Sequence, residues 1–497
     1  MSTMAATFRE SILERRFRFA EHGTTLARDT MAGLTTFIVM SYIIFLNPII
    51  LTSVKPKTGA PLPFEGVVTA TCIVAAVMTI LMGLYSNKAY ALAPGLGINA
   101  IVAFQLVGQN GLSFPSAMGL IVLEGIVVTA LVLTGLREQI MRAIPIELKK
   151  AIAIGIGLFI AFIGLFNSGI VVTGVGEPVT LGRFTTWPVF VTFVGIIITL
   201  ALRARGFKGD LFVGIIGTTI VATIVNHATN HHAFGTSTAT FPGWNHIAGW
   251  GNWSLFGNFD FHAFSKLGVV SALVWVFALF LSDFFDTMGT LVGVGKPAGY
   301  LDKDGHMPDI RKPLLVDSLA AIAGGASSTS SATTYIESGS GVAAGGRTGW
   351  VAVVAGAMFI PFLFFAPIIG MVPSQATAAA LIIVGYLMVS TLTEGEDEAE
   401  VEEGIASRTR AKIAGIDFHD LAIGLPAALV IMLMPFSFSI TNGIGFGFIA
   451  YVLIRGRAGP YAGRAPAHVG GVRSVHALLL RAATAGPRQL DLKAEPP

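Results

Sequence analysis

The chain runs to 497 residues, 53% hydrophobic and only 12% charged, with a mean hydropathy of +0.72. A soluble domain carries about a quarter charged residues, so an ordinary water-facing surface is excluded. The single cysteine, Cys72, excludes intramolecular disulfides and multi-cysteine metal or redox centres, and its place inside an apolar run marks an inert thiol.

In chain order, residues 1–30 form a polar segment with arginines from Arg9 to Arg28, expected to be cytoplasmic and to carry no cleavable secretory signal. Apolar runs near the length that spans a bilayer follow at about 31–53, 66–85, 91–108, 114–136, 148–167, 187–203 and 210–226. An extracytoplasmic loop at 227–266 holds His227, His231, His232, Trp244, Trp250 and Trp253, and reads as a polar loop with interfacial aromatics rather than a metal site. A second set of runs occupies about 267–289, 313–328, 332–346, 350–369, 375–392, 417–434 and 440–455. Within it, an acidic insertion at about 394–412 reads as a solvated cytoplasmic stretch, and the tail at 456–497 as disordered and cytoplasmic. The expected fold is an all-α polytopic membrane protein of fourteen segments.

With the N-terminus placed in the cytoplasm, only Lys55, Lys57, Arg183 and Lys266 among the 32 basic residues face outward. That bias predicts cytoplasmic N- and C-termini and an even number of spans. The net charge of +3 is therefore topological, and no nucleic-acid partner is expected. Fourteen segments divide into a first repeat at 31–226 and a second at 267–455, and an odd-numbered unit returns inverted. The third segment of each half is interrupted, by Ala91-Leu-Ala-Pro-Gly-Leu-Gly-Ile-Asn-Ala and by the Gly/Ser-rich stretch 331–345. Irregular backbone at membrane depth survives only where protein or a wet cavity satisfies it, so these two stretches are expected to line the site.

Ionisable side chains within spans mark function. Here they are Asp283 and Asp286 in the eighth segment, Glu337 in the tenth, Glu124 in the fourth and Asp317 in the ninth. Glu124 and Asp317 are expected to be structural. No acid is expected to have a basic partner in the membrane, because lysine and arginine fall in loops. Asp283 and Asp286, three apart, share a helix face and are the expected proton carriers, since desolvation favours the protonated carboxyl. The hydroxyl-rich stretch 327–334 makes sodium the competing coupling ion. Asn99 offers a donor and an acceptor, while Gly95 and Gly97 allow close approach of a flat ligand. Acidic acceptors, one amide and no fixed positive charge suit a planar, neutral, N–H-rich heterocycle better than an anion. Gly95-Leu-Gly-Ile-Asn-Ala matches the loose dinucleotide fingerprint but lacks its strand–turn–helix context. With no Walker A sequence, nucleophile–histidine constellation or metal motif, no enzyme, ATP-driven pump or resident cofactor is expected.

Several long motifs resemble the azaguanine-type purine permeases, the hypoxanthine/guanine/adenine branch of the nucleobase–ascorbate transporter superfamily, also called nucleobase–cation symporter family two. They are Gly33-Leu-Thr-Thr-Phe-Ile-Val-Met-Ser-Tyr-Ile-Ile-Phe-Leu-Asn-Pro, Ala93-Pro-Gly-Leu-Gly-Ile-Asn, Asp283-Phe-Phe-Asp-Thr-Met-Gly-Thr, the stretch 327–349 and Thr441-Asn-Gly-Ile-Gly-Phe-Gly. The resemblance implies a 7+7 inverted repeat with uracil-permease-like core and gate domains, and short strands opening the third and tenth segments. It also implies a homodimer in the plasma (inner) membrane that imports purine bases with protons, the proton gradient standing in place of any cofactor. Carried over by position, the substrate site is Gly97, Asn99, Asp283, Asp286 and Glu337, with Asp283 and Asp286 coupling protons. A transporter of anions, xanthine or uracil on the same fold is the alternative.

Overall fold

Backbone in hydrocarbon must satisfy its own hydrogen bonds, and every apolar run accordingly carries helix, two of them after a short strand. The computed structural model describes residues 12–137, 145–174, 177–234, 238–241, 243–302, 307–390 and 416–457. The expected acidic insertion and, beyond residue 457, the expected disordered tail lie outside these residues. The first run splits into α1 (Leu26–Met40) and α2 (Ile43–Thr52), parted at Ser41 and Tyr42. Then come α3 (Phe64–Ser86), β1 (Leu92–Pro94), α4 (Leu96–Ala100) continuing as a π-helix over Ile101–Gln109, α5 (Phe114–Thr134) and α6 (Ile146–Asn167). A two-residue ladder of β2 (Val171–Val172) and β3 (Thr180–Leu181) precedes α7 (Trp187–Ala204) and α8 (Asp210–Ala228).

The second half holds α9 (Val269–Gly295), α10 (Arg311–Ala326), β4 (Ala332–Thr334), α11 (Ser338–Ala343) and α12 (Trp350–Ala357). It ends with α13 (Ser374–Ser390), α14 (Leu421–Phe436) and α15 (Ile440–Arg457). Among the described residues, eight helices are long and apolar enough to cross a membrane; Leu96–Gln109, Ser374–Ser390, Leu421–Phe436 and Ile440–Arg455 are shorter apolar helices. Cys72 is free and buried in α3. Trp244 and Trp250 stand exposed in the loop ahead of α9.

The two interrupted segments meet. β1 and β4 pair antiparallel, with Leu92 opposite Thr334, Ala93 opposite Thr333 and Pro94 opposite Ala332. Each strand thereby supplies the hydrogen bonds that the other, as non-helical backbone, lacks. Around this pair the helices pack as two groups: α5 lies on α10 and α12 on α3 and α1, while α6 lies on α13 and α14, and α7 on α8 and α13. The groups touch where Phe104 packs edge-on against Phe438, centroids 5.2 Å apart, and where the Ser439 hydroxyl donates to Gln105 Oε1 at 3.0 Å.

Helix approach within the first group depends on glycine. A Cβ at Gly83 in α3 would run into the carbonyl oxygen of Gly349, and one at Gly349 into that of Gly83. Both obstacles are backbone, so neither can rotate away. Gly83→Ala is expected to destabilise the fold by about 1–3 kcal/mol, read as a lower unfolding temperature of the detergent-solubilised protein. An unchanged midpoint would show that α3 and α12 can separate without cost.

Candidate functional site

The strand pair aims two turns at one place. β1 passes through Gly95 into α4, and β4 passes through Tyr335 to Glu337, which caps α11. Tyr335 folds back and donates its hydroxyl to the Pro94 carbonyl, joining the two turns. Glu337 is half-buried, and its Oε1 accepts the Tyr42 hydroxyl at 2.5 Å. Tyr42 occupies the break between α1 and α2, so the interruption in the first run serves the site. On α9, Asp286 is also half-buried, and its Oδ2 lies 3.7 Å from where a Gly95 Cβ would stand. The carboxylates of Asp286 and Glu337 are near enough to act on each other electrostatically.

Asn99 is 0% exposed, and among the described residues neither its Oδ1 nor its Nδ2 has a hydrogen-bond partner. An unpaired buried amide costs about 1–3 kcal/mol, and such groups need an explanation. Gly97 faces the seam between the helix groups: a Cβ there would stand 3.4 Å from Ile156 Cγ2, 3.6 Å from Ile440 Cδ1 and 3.9 Å from Ser282 Oγ. Alanine would fit this gap, whereas a branched side chain would fill it.

Asp283 is placed differently from Asp286. It is 0% exposed, accepts the Ser331 hydroxyl at 3.5 Å, and turns Oδ2 toward Arg137 Nη2 at 3.9 Å. This corrects the expectation that the membrane acids have no basic partner. Arg137, assigned to a loop by its place after an apolar run, is 1% exposed and lies 3.3 Å from Asp317 Oδ2. The reason is local: Gly135 (φ 72°) closes α5 in a left-handed turn, a conformation open to glycine, and Arg137, two residues on, is buried. A glycine followed within two residues by arginine at the end of an apolar run is the signal that points to it. Asp317 is a junction, accepting the Thr287 hydroxyl at 2.7 Å and the Thr334 N–H at 3.1 Å. Glu124 faces the same cluster and feels the charges of Arg137 and Asp317.

The remaining polar features lie away from the strand pair. Burial works against the Asp260 carboxylate, but the Ser116 hydroxyl at 2.7 Å and the His262 N–H at 2.9 Å hold it below the usual carboxylate range. That pins the loop ahead of α9 to the start of α5. His231 Nδ1 lies 3.2 Å from Asn226 Nδ2, and among the described residues no histidine, cysteine and carboxylate cluster has the arrangement of a metal site.

Two half-buried carboxylates, and an amide unpaired among the described residues, can accept N–H groups and donate one in return. If the amide reads the edge of a bound base, Asn99→Ala should alter the ranking of inhibition constants for hypoxanthine, guanine and adenine. Gly97→Val should instead weaken all three alike, because it takes space and removes no hydrogen bond. An unchanged ranking and affinity in well-inserted Asn99→Ala protein would place Asn99 outside the site.

Comparison with known proteins gives concordant matches. The sequence pattern of the Permease family matches residues 28–402. The chain is 36% identical over 446 residues to the adenine permease AdeP of Escherichia coli (strain K12), covering 90% of this chain and 91% of that one. It is 38% identical over 439 residues to the guanine/hypoxanthine permease PbuG of Bacillus subtilis (strain 168), covering 88% and 92%. The transmembrane domain of a cyanobacterial bicarbonate transporter, BicA, superposes with a TM-score of 0.55 at 14% identity, covering 86% of this chain and 97% of that one, and so shares the fold. With the pattern matched over most of its length and the identity sustained end to end in full-length permeases, this chain belongs to the Permease family.

Proposed function

We propose that this multi-pass plasma-membrane permease imports purine nucleobases by proton symport. Its relatives include permeases named for adenine and for guanine/hypoxanthine, and a permease is a transporter, not an enzyme. The observation that carries the reading is the nearness of two half-buried carboxylates at the ends of the β1–β4 pair, Asp286 beside Gly95 and Glu337 three residues beyond Thr334. In this reading the two carboxylates accept N–H groups from the edge of the base, Asn99 supplies its free amide, and Gly97 leaves room for the ring. Asp283 stands behind this constellation, against Arg137.

An anion substrate is less well served. A basic side chain in the tenth segment would favour it, and Glu337 stands there instead. The buried Arg137 does not change this, since its guanidinium is 1% exposed and is taken up by Asp283 and Asp317. The test is uptake of labelled hypoxanthine, guanine and adenine by cells lacking their own purine permeases, with unlabelled xanthine, uracil and bicarbonate as competitors. Saturable purine uptake, competed by other purines and unaffected by uracil or bicarbonate, is expected. Absence of such uptake in cells that display the protein in their membrane overturns the proposal.

A further inference from the structure

We propose that Arg137 is a positioning residue for the transport site: its buried guanidinium balances Asp283 and Asp317 and so fixes the two elements, α9 and β4, that present Asp286 and Glu337. The connections are short. Asp317 Oδ2 receives Arg137 Nη2 at 3.3 Å and the Thr287 hydroxyl at 2.7 Å, and Thr287 follows Asp286 in α9. Asp317 Oδ1 receives the Thr334 N–H at 3.1 Å and the Thr333 hydroxyl at 3.4 Å, and Thr334 precedes Glu337 by one short turn. Arg137 also reaches Asp283 at 3.9 Å and stacks 5.6 Å from the Phe284 ring, both on α9. One buried cation just beyond the end of α5 therefore ties down both carboxylate-bearing elements.

The guanidinium serves the acids more than itself, since its Nε and Nη1 have no acceptor among the described residues. A residue held only for its own hydrogen bonds would not be left so. Remove the cation, and Glu124, Asp283 and Asp317, all fully buried, confront one another. Like charges in a low dielectric repel strongly, and the outward push falls on α9 against β4, the contact that spaces Asp286 from Glu337. Because the balance of charge is the point, a second change that removes one acid should compensate for loss of the cation. Asp317→Asn is the matching change, as its carbonyl can still accept from Thr334 or Thr287.

The inference rests on the purine-transport reading only for its uptake measurement; thermal unfolding reads it independently. Arg137→Gln is expected to raise the KM for hypoxanthine at least about tenfold, as loss of charge-assisted hydrogen bonds does, and to lower the unfolding temperature. Arg137→Lys, which keeps the charge but not the planar fork, should recover most of the affinity. The double variant Arg137→Gln/Asp317→Asn should unfold at a higher temperature than Arg137→Gln and regain uptake. Wild-type behaviour of Arg137→Gln overturns the proposal. So does a double variant that is inserted yet no better than Arg137→Gln, or one missing from the membrane although the net formal charge of the cluster is back at its wild-type value. Lack of purine uptake by the wild-type protein, with the stability pattern intact, would instead strike the functional reading and leave the positioning role standing.

Discussion

Uptake of labelled hypoxanthine is expected to fall at least about tenfold when alanine replaces Glu337 or Asp286, in protein inserted at wild-type levels. A charge-assisted hydrogen bond to Glu337 contributes about 1.5–3 kcal/mol, and about 1.4 kcal/mol is tenfold in affinity; loss of Asp286 removes both an acceptor and the carrier of the coupling proton. The loss is expected to be greater for Glu337, because its carboxylate is already oriented by the Tyr42 hydroxyl at 2.5 Å and spends little freedom on binding. Tyr42→Phe removes that orienting donor and leaves the carboxylate, so it should raise KM without abolishing transport. The two acids come from different elements, α9 and the turn after β4, and neither can take over the geometry of the other. Ligand-induced thermal stabilisation of purified variants separates lost binding from lost movement. Normal binding by both alanine variants would remove the carboxylates from the site and sink the placement.

The path from sequence to this site was legible where composition and pattern carry a physical constraint. Apolar runs of bilayer length became helices because the backbone has no other partner in lipid. The glycine-, proline- and serine-rich stretches at the third and tenth segments could not be plain helices, and they became the paired strands β1 and β4. What pattern could not show was which way a side chain turns once two segments meet. Asp283 and Asp286 are three apart on α9, yet one is sealed against Arg137 and the other is half-buried beside Gly95. Helical spacing gives a shared face, but the neighbours on that face are long-range: Ser331 for one, Gly95 for the other. Arg137 escaped for a related reason. Charge at the end of a run reads as loop, and only the left-handed turn at Gly135 carries it back into the protein. Tyr42 was hidden inside an apolar run, where an aromatic residue reads as core until its hydroxyl finds Glu337.

Purine accumulation by the wild-type protein is expected to collapse when a protonophore dissipates the proton gradient, and Asp286→Asn is expected to break the coupling itself. Asp286 is the candidate that the geometry favours as proton carrier. It is half-buried beside Gly95, whereas Asp283 is wholly buried beside a guanidinium that offsets its charge. A carboxylate facing Glu337 across a partly dry site pays for its charge twice, by desolvation and by repulsion, and a proton taken up with the base relieves both. Relief of that repulsion in the loaded state, and its return when the proton leaves, supplies the differential free energy that a two-state transporter needs. Asparagine imitates the protonated form permanently, because it is neutral and nearly the same shape. Asp286→Asn should therefore still bind the base and exchange labelled for unlabelled hypoxanthine, yet bring the inside concentration no higher than the outside. Its exchange should be indifferent to the protonophore. Sodium coupling makes the opposite forecast: wild-type accumulation would follow an imposed sodium gradient and survive the protonophore while that gradient is clamped. An Asp286→Asn protein that still concentrates purine would move the coupling proton to another group.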